Sequence, residues 1–104
     1  DTGIGEHRML YLVVSTPVPQ RPSEVREQRQ LYWPWAQDKL DRGLAKSFYA
    51  RTGRGAVALF DVDSNEVLHG LLNEWAEIIP AEFDIYPLID PDAIKSFLAT
   101  EPEV

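Results

Sequence analysis

Apolar side chains occupy both alternating sets of Met9–Thr16 (MLYLVVST), the pattern of a strand covered on both faces. Pro17 and Pro19 end it, because neither can donate to a sheet ladder. Ser23 then stands as a helix N-cap, with Glu24 and Glu27 in the first turn, where the helix dipole favours acids. Val25, Gln28, Tyr32, Trp35 or Ala36, and Leu40 follow at helical spacing as far as Arg42, and Gly43 supplies the stop. Pro34 lies inside this segment, between Trp33 and Trp35, and predicts a kink or a break there.

The second half repeats the alternation. Leu44–Arg51 and Ala56–Val62 read as strands joined by Thr52-Gly53-Arg54-Gly55, a glycine-rich hairpin turn. Asp63 or Ser64 caps a second helix, with Glu66 spaced from Asp63 as in a capping box. Val67, Leu68, Leu71, Leu72, Trp75, Ile78 and Ile79 form its apolar stripe, and Pro80 ends it. Phe83–Ile89 is a fourth strand whose Pro87 points to a sheet edge or a bulge. Asp90 or Asp92 starts a short last helix.

The order β-α-β-β-α-β plus a terminal helix predicts an α+β, ferredoxin-like fold. Residues 9–99 form its one domain, between tails at 1–8 and 100–104. Two helices cover one face of four strands, yet the strands are apolar on both. A second copy of the chain is the cheapest cover, so the expected assembly is a dimeric α+β barrel, with a larger ring as an extension.

Composition narrows the chemistry. With no cysteine among 104 residues, disulfides, thiolate zinc sites, iron–sulfur clusters and a cysteine nucleophile are excluded. His7 and His69 alone give no metal spacing, and His69 falls on the polar side of its helix, so no metal is expected. The net charge of −7 argues against nucleic acid, whose binding draws on clustered Lys and Arg. No apolar run is long enough to span a membrane, and the start of the chain lacks the layout of a secretory signal. The expected setting is cytoplasmic. Charge is also segregated: residues 1–54 sum to +3 and residues 55–104 to −10. Such asymmetry marks either two solvated faces that differ or a surface for a partner or a second copy.

The stretch Arg51 to Ile89 resembles the muconolactone Δ-isomerase family of dimeric α+β barrel proteins. Gly53-Arg54-Gly55 before a strand, Phe60-Asp61-Val62 with Asp63-Ser64 after it, Leu68-His69 in the second helix and Pro87-Leu88 in the last strand carry the resemblance. Arg42-Gly43, closing the first helix, fits as well. The resemblance implies an isomerase or lyase that moves a proton on a small unsaturated lactone or aromatic-derived acid without a cofactor. The chain departs from the family pattern at Pro87-Leu88-Ile89-Asp90-Pro91, where the family's histidine is missing. A tailoring enzyme of a natural-product pathway (a cyclase or a cofactor-free monooxygenase) and a non-catalytic ligand-binding barrel are the alternatives.

Proton transfer next to a carbonyl needs a base, a proton donor and a group to hold enolate charge. Strand parity groups Asp84 and Tyr86 with Ser47, Tyr49 and Arg51, while Tyr11 shares a parity with Ser15. If these sets face one way, Asp84 is the base, Arg51 the charge stabiliser, and Tyr11, Tyr49 or Tyr86 the donor. Otherwise Asp84 and Arg51 form an ordinary cross-strand ion pair, and the tyrosines pack with wet hydroxyls. Tyr32, Trp33, Trp35 and Trp75 serve either core or dimer packing, or an aromatic wall for a flat ligand near Pro34.

Overall fold

A computed structural model describes residues 9–100. The tail expected at 1–8, and residues 101–104 of the tail expected at 100–104, lie outside the described residues. The elements are β1 (Met9–Pro17), a 3₁₀ turn (Pro22–Val25), α1 (Arg26–Asp41), β2 (Ala45–Ala50), β3 (Ala56–Val62), α2 (Asn65–Ile78), β4 (Ala81–Leu88) and α3 (Pro91–Thr100). The strands form one antiparallel sheet in the order β2-β3-β1-β4. The fold is α+β and ferredoxin-like with a short C-terminal helix. Among the described residues no helix is long and apolar enough to cross a membrane.

Tyr11, Val13 and Ser15 of β1 and Ala56, Ala58, Phe60 and Val62 of β3 are buried, all pointing to the face that α1 and α2 cover. The small side chains at 56 and 58 let the helices approach closely. From α1 come Tyr32 and Ala36, and from α2 come Leu68, Leu71, Leu72 and Trp75. Trp75 is 1% exposed and sits at the centre, with ring centroids of Tyr32, Phe48, Phe60 and Phe83 between 5.1 and 6.3 Å away. The two helices are also tied by charge. Lys39 is 6% exposed, 3.0 Å from Asp38 and 3.5 Å from Glu74, and Glu74 accepts a 2.8 Å bond from Trp35 Nε1.

Several sequence expectations change in detail. Ser23 does not cap a helix; it lies inside the 3₁₀ turn, because Pro22 already sets a turn conformation there. α1 runs through Pro34 unbroken. A proline removes one backbone bond, and the packing of Tyr32, Trp35 and Ala36 on either side outweighs it. Ser64, not Asp63, caps α2 by accepting from the Val67 N–H at 3.2 Å, so Asp63 and Glu66 form no capping box. Pro87 lies in β4, which is an edge strand. Every described side chain of α3 is exposed.

The other sheet face is bare. Cross-strand register puts Leu10, Leu12 and Val14 of β1, Val57 and Leu59 of β3, and Tyr86 and Leu88 of β4 on it. None of the seven is buried.

The hairpin turn after β2 depends on two glycines at φ 94° and 99°. At Gly55 a Cβ would come within 2.5 Å of the Ser15 carbonyl oxygen; at Gly53 it would meet nothing. Gly55→Ala is therefore expected to cost at least about 2 kcal/mol and Gly53→Ala about 1 kcal/mol. Urea unfolding of the two variants measures the difference.

Candidate functional site

Ser15 ends the β1–β3 ladder with its side chain. Its hydroxyl accepts from the Ala56 N–H at 2.9 Å and donates to the Ala56 carbonyl at 3.2 Å, fully inside the protein. Its own carbonyl takes a 2.8 Å bond from the Arg51 guanidinium, which also reaches Thr16 Oγ1 at 3.3 Å. Gly55 makes this crossing possible, since any side chain there would occupy the space between Ser15 and Arg51. Arg54 folds back from the same turn and donates to the carbonyl of Gln20 at 2.9 Å, and its Nε is buried without a partner.

These contacts frame a cavity of about 260 Å³ between the hairpin turn, the start of α1 and the end of α2. Its apolar wall includes Val25, Trp33, Trp75 and Ile79, and its cationic rim is Arg29, Arg51 and Arg54. Tyr32 lines it too, 2% exposed, with a hydroxyl that is buried and has no hydrogen-bond partner. Burial raises the Tyr32 phenol far above the ordinary tyrosine range, so it stays protonated and available as a donor. An unmade bond of this kind costs roughly 1–3 kcal/mol. Among the described lining residues there is no carboxylate and no histidine. The site can hold an anion against an aromatic wall; it offers no general base of its own.

The residues singled out from sequence divide between this cavity and the rest of the sheet. Arg51 and Trp33 line the cavity. Trp35 does not; it packs on Tyr32, Phe48 and Trp75. Tyr11 turns to the helix side and its hydroxyl donates to Asn65 Oδ1, so it is separated from Asp84 and Tyr86. Asp84 stands opposite Val14 and Tyr86 opposite Leu12, on the bare face of β4. Tyr49, opposite Val57, is on that face in β2, the other edge of the sheet.

A single catalytic cleft holding Asp84, Arg51 and the tyrosines is therefore not formed within one chain. No ion pair joins Asp84 to Arg51 either, because the guanidinium is committed to Ser15 and Thr16. One residue too many in β2, between Ala45 and Ser47, shifts the side-chain parity along that strand. Arg29 and Arg54 were not distinguished by sequence reading. The spacing Val25, Arg29, Trp33 at four-residue steps was the available signal, since it stacks the three along one helix face.

Fold and cavity together define a class: an α+β domain of ferredoxin-like topology with a small arginine-rimmed aromatic pocket beside the sheet. The chain belongs to the family described as a domain of unknown function (DUF3303), whose model matches residues 9–101. No curated protein matches the chain in sequence.

Tyr32 generates a prediction about alkaline stability. Its pKa is raised in the folded state above an ordinary 10.0, so above that pH the unfolded chain releases a proton that the folded chain keeps. The stability that depends on the neutral phenol is complete below pH 10 and falls as pH rises beyond it. Tyr32→Phe lacks this loss. Denaturant midpoints between pH 9 and 11.5 are expected to fall more steeply for the parent than for the variant.

Proposed function

We propose that the protein binds a small, flat, unsaturated or aromatic-derived acid in this pocket, as a homodimer packed sheet to sheet. The single observation that carries the ligand reading is a cavity whose wall joins Trp33, Trp75 and Tyr32 to three arginines. Arginine matches a carboxylate through its fork of N–H donors, and a flat ring suits the tryptophan faces. A volume of about 260 Å³ is just below the roughly 300–1,000 Å³ of sites for drug-sized molecules, which favours a one-ring ligand. A cytoplasmic setting belongs to the same proposal and rests on the cysteine-free composition.

Benzoate is a minimal probe. Saturable quenching of tryptophan fluorescence is expected, with affinity at least about tenfold weaker in Arg29→Gln and in Trp33→Ala. Unchanged fluorescence on titration, with no heat of binding, would overturn the reading.

The homodimer rests on the bare face. Leu12, Val14, Val57 and Leu59, all partly exposed, occupy its two central strands, where aliphatic side chains gain most from a facing sheet about 10 Å away. Light scattering on a sizing column is expected to give twice the chain mass for the parent and the chain mass for Leu59→Glu. A monomeric parent at high concentration refutes the assembly.

Proton transfer on a bound lactone, in the manner of the muconolactone isomerases, is a second reading. The presence of Arg51 in the wall favours it, since a cation stabilises an enolate oxygen. The base, for which Asp84 is the candidate, would have to come from a further copy docked at the pocket, since Asp84 of a sheet-to-sheet partner stays on the far side of the sheet. Muconolactone turnover followed by ultraviolet absorbance in deuterated buffer tests it. The expectation is solvent deuterium in the product, with turnover lost in Asp84→Asn and lowered in Arg51→Gln; flat traces for the parent eliminate it.

A further inference from the structure

Five arginines share one end of the molecule. Arg21 precedes the 3₁₀ turn, Arg26 and Arg29 open α1, and Arg51 precedes and Arg54 separates the glycines of the hairpin turn. Among the described residues none of the five is ion-paired. Lys39, Arg42 and Lys46, elsewhere in the fold, each lie within 4.0 Å of a carboxylate. The contrast is not for want of acids nearby. Glu24 and Glu27 belong to the same segment, and Glu24 is taken by the Arg21 backbone N–H at 3.0 Å.

Arg29 and Trp33 have a second role. Besides lining the pocket, they form one side of a shallower, more open groove along the start of α1, with Pro22, Ser23, Arg26 and Gln30 as the rest. Trp33 is 41% exposed and stands between the two spaces. A ligand with one carboxylate meets three guanidinium groups at the pocket rim and none of the charge beyond it.

We propose that the groove is a second subsite of the same ligand site, and that it takes a further anionic group, carboxylate or phosphate, joined by a short linker to the ring in the pocket. The inference rests on the pocket being a ligand site. Arg26 and Arg29 lie three residues apart, so both forks reach one anion from the same helix face. Ser23 and Gln30 add neutral donors beside them. The openness of the groove suits the charged end of a molecule whose ring is enclosed. The physiological ligand is thus at least a dianion.

Three probes with one body test this: 4-(4-phosphonooxybutyl)benzoate, 4-(4-carboxybutyl)benzoate and the uncharged 4-(4-hydroxybutyl)benzoate. Calorimetry is expected to show one or both dianions binding the parent about tenfold or more tighter than the alcohol. A gain with phosphate alone identifies a phosphate subsite, and a similar gain with both identifies a general anion subsite. In Arg26→Gln the gain falls below about threefold while benzoate affinity holds. Arg42→Gln removes the same charge about 24 Å away along α1 and leaves the gain intact, which separates a local contact from the overall field. Equal affinity for all three probes overturns the subsite and leaves the pocket reading standing. Failure of benzoate and all three probes overturns both.

Discussion

The rest of the molecule is arranged around Trp75. Among the described residues its indole is the one side chain in contact range of rings from α1, β2, β3 and β4 at once, with centroid separations of 5.1 to 6.3 Å. Burying a ring of this size supplies several kcal/mol, and its neighbours meet it edge-on or tilted, as aromatic quadrupoles prefer. Ala56 and Ala58, buried on the helix-covered face, keep the sheet surface low enough for the helices to sit close. Because Trp75 is also a wall of the cavity, the interaction that joins helices to sheet is the one that shapes the pocket.

Beside that hub the sheet ends in a way that leaves room. β1 and β3 would continue to pair past Val14 and Val57, but the Ser15 hydroxyl takes over both polar groups of Ala56. The freed Ser15 carbonyl then anchors Arg51, and Arg54 is held by the carbonyl of Gln20. Both guanidinium groups are oriented by neutral carbonyls and keep their full positive charge. Bonds to carbonyls fix position without neutralising, whereas a carboxylate would do both. An acidic protein thereby maintains a cationic end.

Burial on one face only explains why the sheet has two characters. Alternate residues of β1 and β3 are sealed under α1 and α2, and the intervening set, equally aliphatic, is left half-exposed. Tyr49, Asp84 and Tyr86 share this second face, remote in kind from the pocket. The separation accounts for the two halves of the proposed function: a ligand on the helix side and a second chain on the other.

Much of this was legible in the residues. Alternation in β1 and β3, the leucine stripe of α2 ending in Trp75, the glycines of the hairpin and Pro87 at an edge are local patterns, and local sterics and hydrophobic periodicity determine them. The ferredoxin-like order followed from their succession. What tertiary structure alone decided is which of these residues meet. Parity says that Arg51 and Tyr49 share a face; it does not say that an extra residue after Ala45 re-aims the strand, or that Arg51 crosses Gly55 to reach Ser15. Arg29 and Arg54 are 25 residues apart, and their common cavity exists only once the hairpin folds back against α1. Periodicity is a property of neighbours in the chain, whereas a site is made by long-range packing, and no local rule encodes the contact between them.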